Sequence, residues 1–157
     1  MAIARANWLA LLVPAALLAG AWAFQLIGGL YPCEMCHWQR WPHYAALGVA
    51  VVALATRGRV QATLVAVAAL LIAVSGVIAV AHAGVEYHWW NGFTACSTTT
   101  NLTGATAAER LDALMRQPTI RCDVPQWKVA GVSLAGFNAL LSLGGALAIL
   151  SLMRRAR

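Results

Sequence analysis

Four apolar stretches, separated by polar or charged segments, dominate the hydrophobic pattern of the chain. Since roughly 20 apolar residues span a bilayer, they predict membrane spans at about residues 8–30, 37–56, 62–82 and 129–153. The stretches lack the alternation of a barrel strand, so helices are the structure that satisfies every backbone group in lipid. The second stretch is the shortest, because its continuous apolar part runs only from Trp41 to Thr56.

Composition supports the same interpretation. Hydrophobic residues make up 61% of the 157 positions and charged residues only 10%, far from the balance of a soluble domain. The predicted fold class is therefore an all-α membrane protein with a four-transmembrane-helix bundle. Arg5 and the Ala21-Trp22-Ala23 sequence loosely match a cleaved signal peptide, but the apolar run continues to Leu30, which favours a retained span.

The charges fix an orientation. The net charge of +6 equals the number of arginines at the N-terminus, in the second connection and at the C-terminus, namely Arg5, Arg57, Arg59, Arg154, Arg155 and Arg157. The first and third connections each balance to zero. The positive-inside rule then places both termini in the cytoplasm, with outer loops at about 31–40 and 83–128. The basic charge reflects topology, so the bilayer is an expected partner and nucleic acid is not.

All four cysteines fall in the two outer loops under this orientation. Cys33 and Cys36 lie in the first loop, and Cys96 and Cys122 in the second. An even number of cysteines, all on the outer face, suits an oxidising compartment such as a bacterial periplasm. The predicted location is therefore a bacterial inner membrane, with both outer loops in the periplasm. The second pair is equally compatible with a structural disulfide and a redox-active one. For the first pair a structural role is weaker, because a bridge that closes so small a loop constrains the unfolded chain little.

The segment Cys33-Glu34-Met35-Cys36-His37 allows two interpretations. C-x-x-C-H is the attachment motif of c-type haem, whereas C-x-x-C alone is a redox dithiol. The 16 apolar residues from Trp41 to Thr56 would extend about 24 Å, which is short for a bilayer, so the second helix is expected to begin near Cys36. The helix N-terminus and Arg40 would then favour a reactive Cys36 thiolate at the membrane boundary.

Two further features belong to the outer side. His82 and Glu86, spaced i,i+4, close the third span, where ionisable groups are either an interfacial pair facing water or part of a site. In the second loop, Thr106 and Glu109 form a capping box ahead of apolar Leu111, Leu114 and Met115. This pattern predicts a short amphipathic helix on the membrane surface.

The residues resemble the DsbB family of membrane disulfide-forming proteins over nearly the whole chain. The resemblance rests on "FQLIGGLYPCEMCHWQR" closing the first span, on "HAGVEYHWW" and "FTAC" after the third, and on "RCDVPQWKVAGVSLAGFN" entering the fourth. It implies a quinone-dependent oxidoreductase that reoxidises a periplasmic thioredoxin-fold oxidase similar to DsbA. The electrons would pass through two cysteine pairs to the membrane quinone pool, ubiquinone or menaquinone.

The resemblance also implies roles for individual residues. Cys96 would form a mixed disulfide with the partner, and Cys122 would then exchange with Cys33. Cys36 would face the quinone, with Arg40 helping to hold it. The histidine near the quinone would be His82, which fits the spacing to "FTAC" better than His88 does. Gln39 stands where some family members have an acid, so that acid's contribution is absent.

Three alternatives remain. A membrane-anchored c-type cytochrome would use Cys33, Cys36 and His37, but the short first loop offers little to surround a porphyrin. A zinc site would need thiolates from two loops in an oxidising space, so no metal is expected. The non-enzymatic alternative is a structural membrane subunit with two stabilising disulfides.

Overall fold

The computed structural model describes residues 2–94, 96–97, 106–115 and 120–155, with residues 113 and 114 described by their backbone alone. The described chain is mostly helical, as the sequence predicts. Its elements are α1 (Ala2–Leu26), α2 (Glu34–Leu54), α3 (Gly58–Glu86), α4 (Ala107–Met115), β1 (Lys128–Val129), β2 (Val132–Ser133) and α5 (Leu134–Arg154).

The four long helices α1, α2, α3 and α5 pack into one bundle, in which α3 contacts all three others. Small residues allow the helices to approach closely, as is common where lipid rather than water surrounds a bundle. A Cβ atom on Gly76 of α3 would lie 2.8 Å from the Leu143 side chain of α5. The core of the bundle is rich in alanine around a few larger side chains, including Ala46, Ala69, Ala146, Val65, Ile72 and Ile149.

Three of the described helices, α1, α3 and α5, are long and apolar enough to cross a membrane. Helix α2 has 21 residues, but its first half carries the polar side chains Glu34, His37, Gln39, Arg40 and His43. These polar side chains explain why α2 is not among the helices apolar enough to cross a membrane, although its second half is apolar. The protein is a membrane protein. That α2 also crosses the membrane, as a fourth span, remains a prediction.

The chain enters α2 through a sharp turn after α1. Helix α1 ends at Leu26, before Gly28 and Gly29, and Gly29 adopts a left-handed conformation with φ +66°. Cys33 is the N-cap of α2, and its Sγ accepts a hydrogen bond from the Cys36 amide at 3.3 Å. Cys36 therefore lies in the first turn of the helix, as the length argument from the sequence predicts.

The segment before α5 contains a short hairpin that the sequence did not predict. Strands β1 and β2 pair across Ala130 and Gly131, both with positive φ, which suits a two-residue hairpin turn. The Tyr87 hydroxyl, just after α3, donates to the Gly131 carbonyl and accepts from the Ser133 amide, each at 2.8 Å. Ser133 is the N-cap of α5, and its Oγ accepts a hydrogen bond from the Gly136 amide. Helix α5 thus begins later than the predicted fourth span, and the hairpin is tied to the end of α3.

Helix α4 begins with the predicted capping box. The Thr106 amide donates to Glu109 Oε2 at 2.7 Å, and the Glu109 amide donates to Thr106 Oγ1 at 3.3 Å. Hydrogen bonds from Thr106 lower the pKa of the Glu109 carboxyl. Leu111 and Met115 are exposed on this helix. Every residue of α4 whose side chain the structure describes is exposed, so the amphipathic helix on a membrane surface remains a prediction.

Candidate active site

Cys33 and Cys36 form a dithiol at the start of α2. Cys33 is buried and Cys36 is half-buried, and the Cys33 Sγ donates a hydrogen bond to the Cys36 Sγ at 3.0 Å. This hydrogen bond, followed by burial, raises the pKa of the Cys33 thiol well above its ordinary value. In the reduced pair, Cys33 therefore keeps its proton and Cys36 accepts the hydrogen bond.

Cys96 and Cys122 are joined by a disulfide that closes a separation of 26 positions. The disulfide packs against the dithiol, since Cys33, Met35, Val85, Cys96 and Cys122 form one buried cluster. The Cys122 Sγ, the Cys33 Sγ and a ring nitrogen of His82 all lie within 4.8 Å of one another. Cys122 is completely buried, whereas Cys96 is 8% exposed. The two cysteine pairs are thus adjacent although they belong to different loops.

His82 connects the cysteines to the interior of the bundle. It is 2% exposed, and its Nε2 lies 3.6 Å from the Cys33 Sγ and 3.8 Å from Glu86 Oε1. On the other side of the ring, Nδ1 lies 2.8 Å from Gln39 Nε2. His88 follows α3 and is exposed. Its Nδ1 lies 3.2 Å from the carbonyl of Val85, three positions earlier. Of the two histidines that the sequence offered, the structure places His82 beside the dithiol.

A chain of buried polar groups continues from Gln39 into the bundle. Asn138 Nδ2 donates to Gln39 Oε1 at 2.8 Å, and Ser142 Oγ donates to Asn138 Oδ1 at 2.7 Å. His43 Nε2 lies 3.1 Å from the same Oδ1. Ser75 Oγ donates to the Gln39 carbonyl at 2.8 Å. These contacts join α2, α3 and α5, so Asn138 serves as an interhelical hydrogen-bonding group.

Arg40 ties α2 to α1. Its guanidinium donates to Gln25 Oε1 at 2.7 Å and to the Ala21 carbonyl at 3.2 Å. It also lies 5.4 Å from the ring centroid of Trp22, within the range of a cation–π contact. With 9% exposure, Arg40 is buried rather than extended into the surroundings. The side chain is therefore held rigidly beside the first turns of α2.

A cavity of about 390 Å³ brings most of these groups together. Its polar wall is formed by α2 and α3, and its apolar walls come mainly from α1 and α5, through side chains such as Leu17, Phe24, Phe137 and Leu141. Cavities of this size, mostly apolar with a few convergent polar groups, are typical of small-molecule sites. The polar wall includes Cys33, Cys36, Gln39, Arg40, His43, His82 and Glu86, and Arg121, Gln126 and Asn138 add polar groups from outside α2 and α3.

The structure brings the predicted site residues together in two groups. Cys33, Cys36, Arg40 and His82 line the cavity, while the Cys96–Cys122 disulfide packs behind Cys33. Sequence reasoning missed the place of Gln39 in this wall. The available signal was the i,i+4 spacing of polar residues inside apolar helices, which Gln39 and His43 share with Asn138 and Ser142.

Two of the alternative chemistries fit the geometry poorly. Cys33, His82 and Cys122 are close enough to hold a metal ion, but a disulfide sulfur such as that of Cys122 is not a thiolate ligand. In a c-type haem site His37 would be the axial ligand. His37 is exposed here and does not line the cavity. The geometry favours thiol–disulfide chemistry.

A disulfide packed against a dithiol, at the edge of a cavity between apolar helices, defines a membrane thiol–disulfide oxidoreductase. The chain belongs to the DsbB family, since the family described as "Disulfide bond formation protein DsbB" matches residues 4–152. This match confirms the resemblance read from the sequence. Comparison with curated proteins and with solved structures gave no significant match.

Proposed function

We propose that the protein reoxidises a periplasmic thioredoxin-fold dithiol oxidase similar to DsbA and transfers the electrons to membrane quinone. The observation that carries this proposal is the position of Cys33. Its sulfur is within 4.8 Å of Cys122 and 3.0 Å from Cys36, which lines the cavity. Cys33 thus links the Cys96–Cys122 disulfide to a cavity with mostly apolar walls, which suits a lipid-soluble acceptor.

The first exchange takes place at the Cys96–Cys122 disulfide. A thiolate of the partner attacks one sulfur, forms a mixed disulfide and releases the other sulfur. The exposure of the two residues supports attack at Cys96, because Cys122 is completely buried. Cys122 is then the leaving sulfur, and it is released next to Cys33. The second thiol of the partner resolves the mixed disulfide and leaves with its own disulfide complete.

The second exchange joins the two cysteine pairs. In the oxidised state of the first pair, the Cys122 thiolate attacks Cys33, and Cys36 leaves as a thiolate that faces the cavity. The Cys33–Cys122 bond then exchanges with Cys96, which restores the Cys96–Cys122 disulfide and leaves Cys33 and Cys36 reduced. The pair described above, with its Cys33–Cys36 hydrogen bond, corresponds to this reduced state.

The cavity fits a quinone in its polarity. Arg40 and His82 would hold the head group beside Cys36, and the apolar walls of α1 and α5 would hold the ring and the start of the tail. Arg40 is suited to this task because its guanidinium is always protonated and offers several donors in one plane. Quinone, when bound, supplies the two-electron acceptor that returns Cys33 and Cys36 to a disulfide.

The orientation follows from the same proposal. Both termini would lie in the cytoplasm of a bacterial inner membrane, and the four cysteines would face the periplasm. Helix α2 would be the second span, with its polar half facing the cavity and the other helices rather than lipid. The buried positions of Gln39, Arg40 and His43 support this placement.

The test is a coupled assay with purified protein, a reduced thioredoxin-fold partner and a soluble ubiquinone or menaquinone analogue. We expect two partner thiols to disappear for each quinone reduced. Cys96→Ser and Cys122→Ser should abolish oxidation of the protein partner but retain quinone reduction when a small dithiol is supplied. Absence of quinone reduction by the wild-type protein would refute the proposal. Covalently bound haem in the purified protein would favour the cytochrome alternative instead.

A further inference from the structure

Glu86 is a buried acid for which the proposed exchanges give no role. Its side chain is 7% exposed and lines the cavity with Cys36 and Arg40. Its Oε1 lies 3.8 Å from His82 Nε2, and its Oε2 has no hydrogen-bond partner among the described residues. Burying a carboxylate is costly even with Ser133 and Lys128 acting on it, so an acid that lines a cavity at the end of a membrane helix points to a function.

His82 does not carry the proton chemistry in this arrangement, because Gln39 fixes its tautomer. Gln39 Nε2 lies 3.1 Å from the Met35 carbonyl, which can only accept, so this side of the amide is the NH₂ group. The same NH₂ group donates to His82 Nδ1 at 2.8 Å. The neutral ring then carries its proton on Nε2, which has the Cys33 Sγ at 3.6 Å, Glu86 Oε1 at 3.8 Å and the backbone of Cys122 as its neighbours.

The other ionisable groups of the polar wall are less suitable. The Arg40 guanidinium does not release its proton. His43 lies seven positions after Cys36, about 10 Å further along α2 at 1.5 Å per residue. Arg121 also lines the cavity, but its guanidinium likewise keeps its proton and is paired with Asp123. Lys128 and Ser133, from the hairpin, also act on Glu86. Glu86 is thus the group beside the cysteines that can both accept and return a proton.

We propose that Glu86 is the proton-transfer group of the cavity and that His82, held by Gln39, positions its carboxyl. The proposal rests on the function proposed above. When Cys33 and Cys36 are oxidised, two S–H bonds break and one S–S bond forms. The two electrons pass to the quinone and the two protons end on its oxygens, so the product is a hydroquinone. Glu86 takes a thiol proton and passes it to a quinone oxygen, and then does the same with the second proton.

The test compares Glu86→Gln with Glu34→Gln, which removes an exposed acid outside the cavity, next to Cys33 in sequence. The first readout needs no quinone. Infrared difference spectra are recorded while a small dithiol reduces the Cys33–Cys36 disulfide of quinone-free protein. We expect a change in a carboxyl C=O band in the wild type and in Glu34→Gln, and its loss in Glu86→Gln.

The second readout is turnover. Quinone reduction should fall about a hundredfold in Glu86→Gln, the order expected for loss of a general acid–base group, with capture of the protein partner unchanged. Glu86→Asp should keep the infrared band and recover part of the rate, which also guards against a folding defect in Glu86→Gln. No carboxyl band in the wild type, or the same band in Glu86→Gln, would overturn the role of Glu86. So would normal turnover of Glu86→Gln, whereas a wild type without quinone reduction would instead refute the proposed function.

Discussion

The sulfur atoms of Cys33 and Cys122 lie within 4.8 Å of each other, although one precedes α2 and the other follows α4. A disulfide needs a sulfur–sulfur distance of about 2.05 Å, so a small movement of either side chain brings the two into bonding distance. Both residues pack in one buried cluster with Met35 and Val85.

This proximity predicts a cross-link between the two cysteine pairs. The double variant Cys36→Ser, Cys96→Ser leaves Cys33 and Cys122 as the remaining cysteines, and we expect them to form a disulfide in mild oxidant. Peptide mass spectrometry after thiol blocking would detect the linked fragments. The matched variant Cys33→Ser, Cys96→Ser leaves Cys36 and Cys122, which should cross-link far less. Equal cross-linking in the two variants would contradict the proposed exchange through Cys33.

The raised pKa of Cys33 predicts an order of modification in the reduced protein. A thiol with a raised pKa holds its proton at neutral pH, so its thiolate becomes abundant only in alkaline solution. We therefore expect iodoacetamide to modify Cys36 first at pH 7, with the rate at Cys33 rising only as the pH increases. In Cys36→Ser the hydrogen bond to the Cys36 sulfur is lost, and the rise at Cys33 should move to lower pH. Faster labelling of Cys33 than of Cys36 at pH 7 would contradict the assignment.

Arg40→Ala should impair quinone reduction by about a hundredfold, the order of loss seen when one preorganised donor to a developing negative charge is removed. The variant also breaks the contacts to Gln25 and Ala21, so its thermal stability is measured alongside turnover. Arg40→Lys keeps the charge but loses the planar group, and should restore only part of the rate. Gln25→Ala is the matched control, since it removes the α1 contact and leaves Arg40 in place. Turnover that falls as far in Gln25→Ala as in Arg40→Ala would make Arg40 a purely structural residue.

Gly76→Ala should destabilise the bundle. The added methyl group would lie 2.8 Å from the Leu143 side chain and 3.2 Å from its backbone nitrogen, so α3 and α5 would have to separate. Overpacking of this kind costs about 1–3 kcal/mol. Gly144→Ala on α5 is the control, because a Cβ atom there has no described neighbour within 4 Å. Thermal unfolding in detergent should show a lower midpoint for Gly76→Ala alone, and equal midpoints would contradict the close packing seen at Gly76.

The sequence was sufficient for the features that depend on local pattern. Apolar runs located α1, α3 and α5, the shortness of the second run placed the start of α2 near Cys36, and Thr106 with Glu109 located the start of α4. The apolar runs also placed the cysteines between helices, and the structure has Cys33 at the N-cap and Cys36 in the first turn of α2. Each of these inferences uses residues that are close together along the chain.

Contacts between different helices could not be predicted from local sequence patterns. Nothing in the sequence pairs Gln39 with His82, or Arg40 with Gln25, because these contacts depend on how α1, α2 and α3 rotate about their axes when they pack. From the sequence, Gln39 is only a position where some family members have an acid. The structure shows that an acid, Glu86, enters the same polar wall from α3. Short hairpins such as β1–β2 are equally hard to predict, because two-residue strands carry almost no periodic signal.

The polar first half of α2 has a consequence for biogenesis. A segment that carries Gln39, Arg40 and His43 partitions poorly into lipid by itself, because each such side chain loses hydration without gaining a partner. In the folded bundle these partners are Gln25 on α1, His82 on α3 and Asn138 on α5. Helix α2 should therefore leave the translocon together with α1 and α3 rather than alone. Full insertion would then wait for the synthesis of α5. Insertion of α5, the last helix to be synthesised, would commit the chain to its final topology.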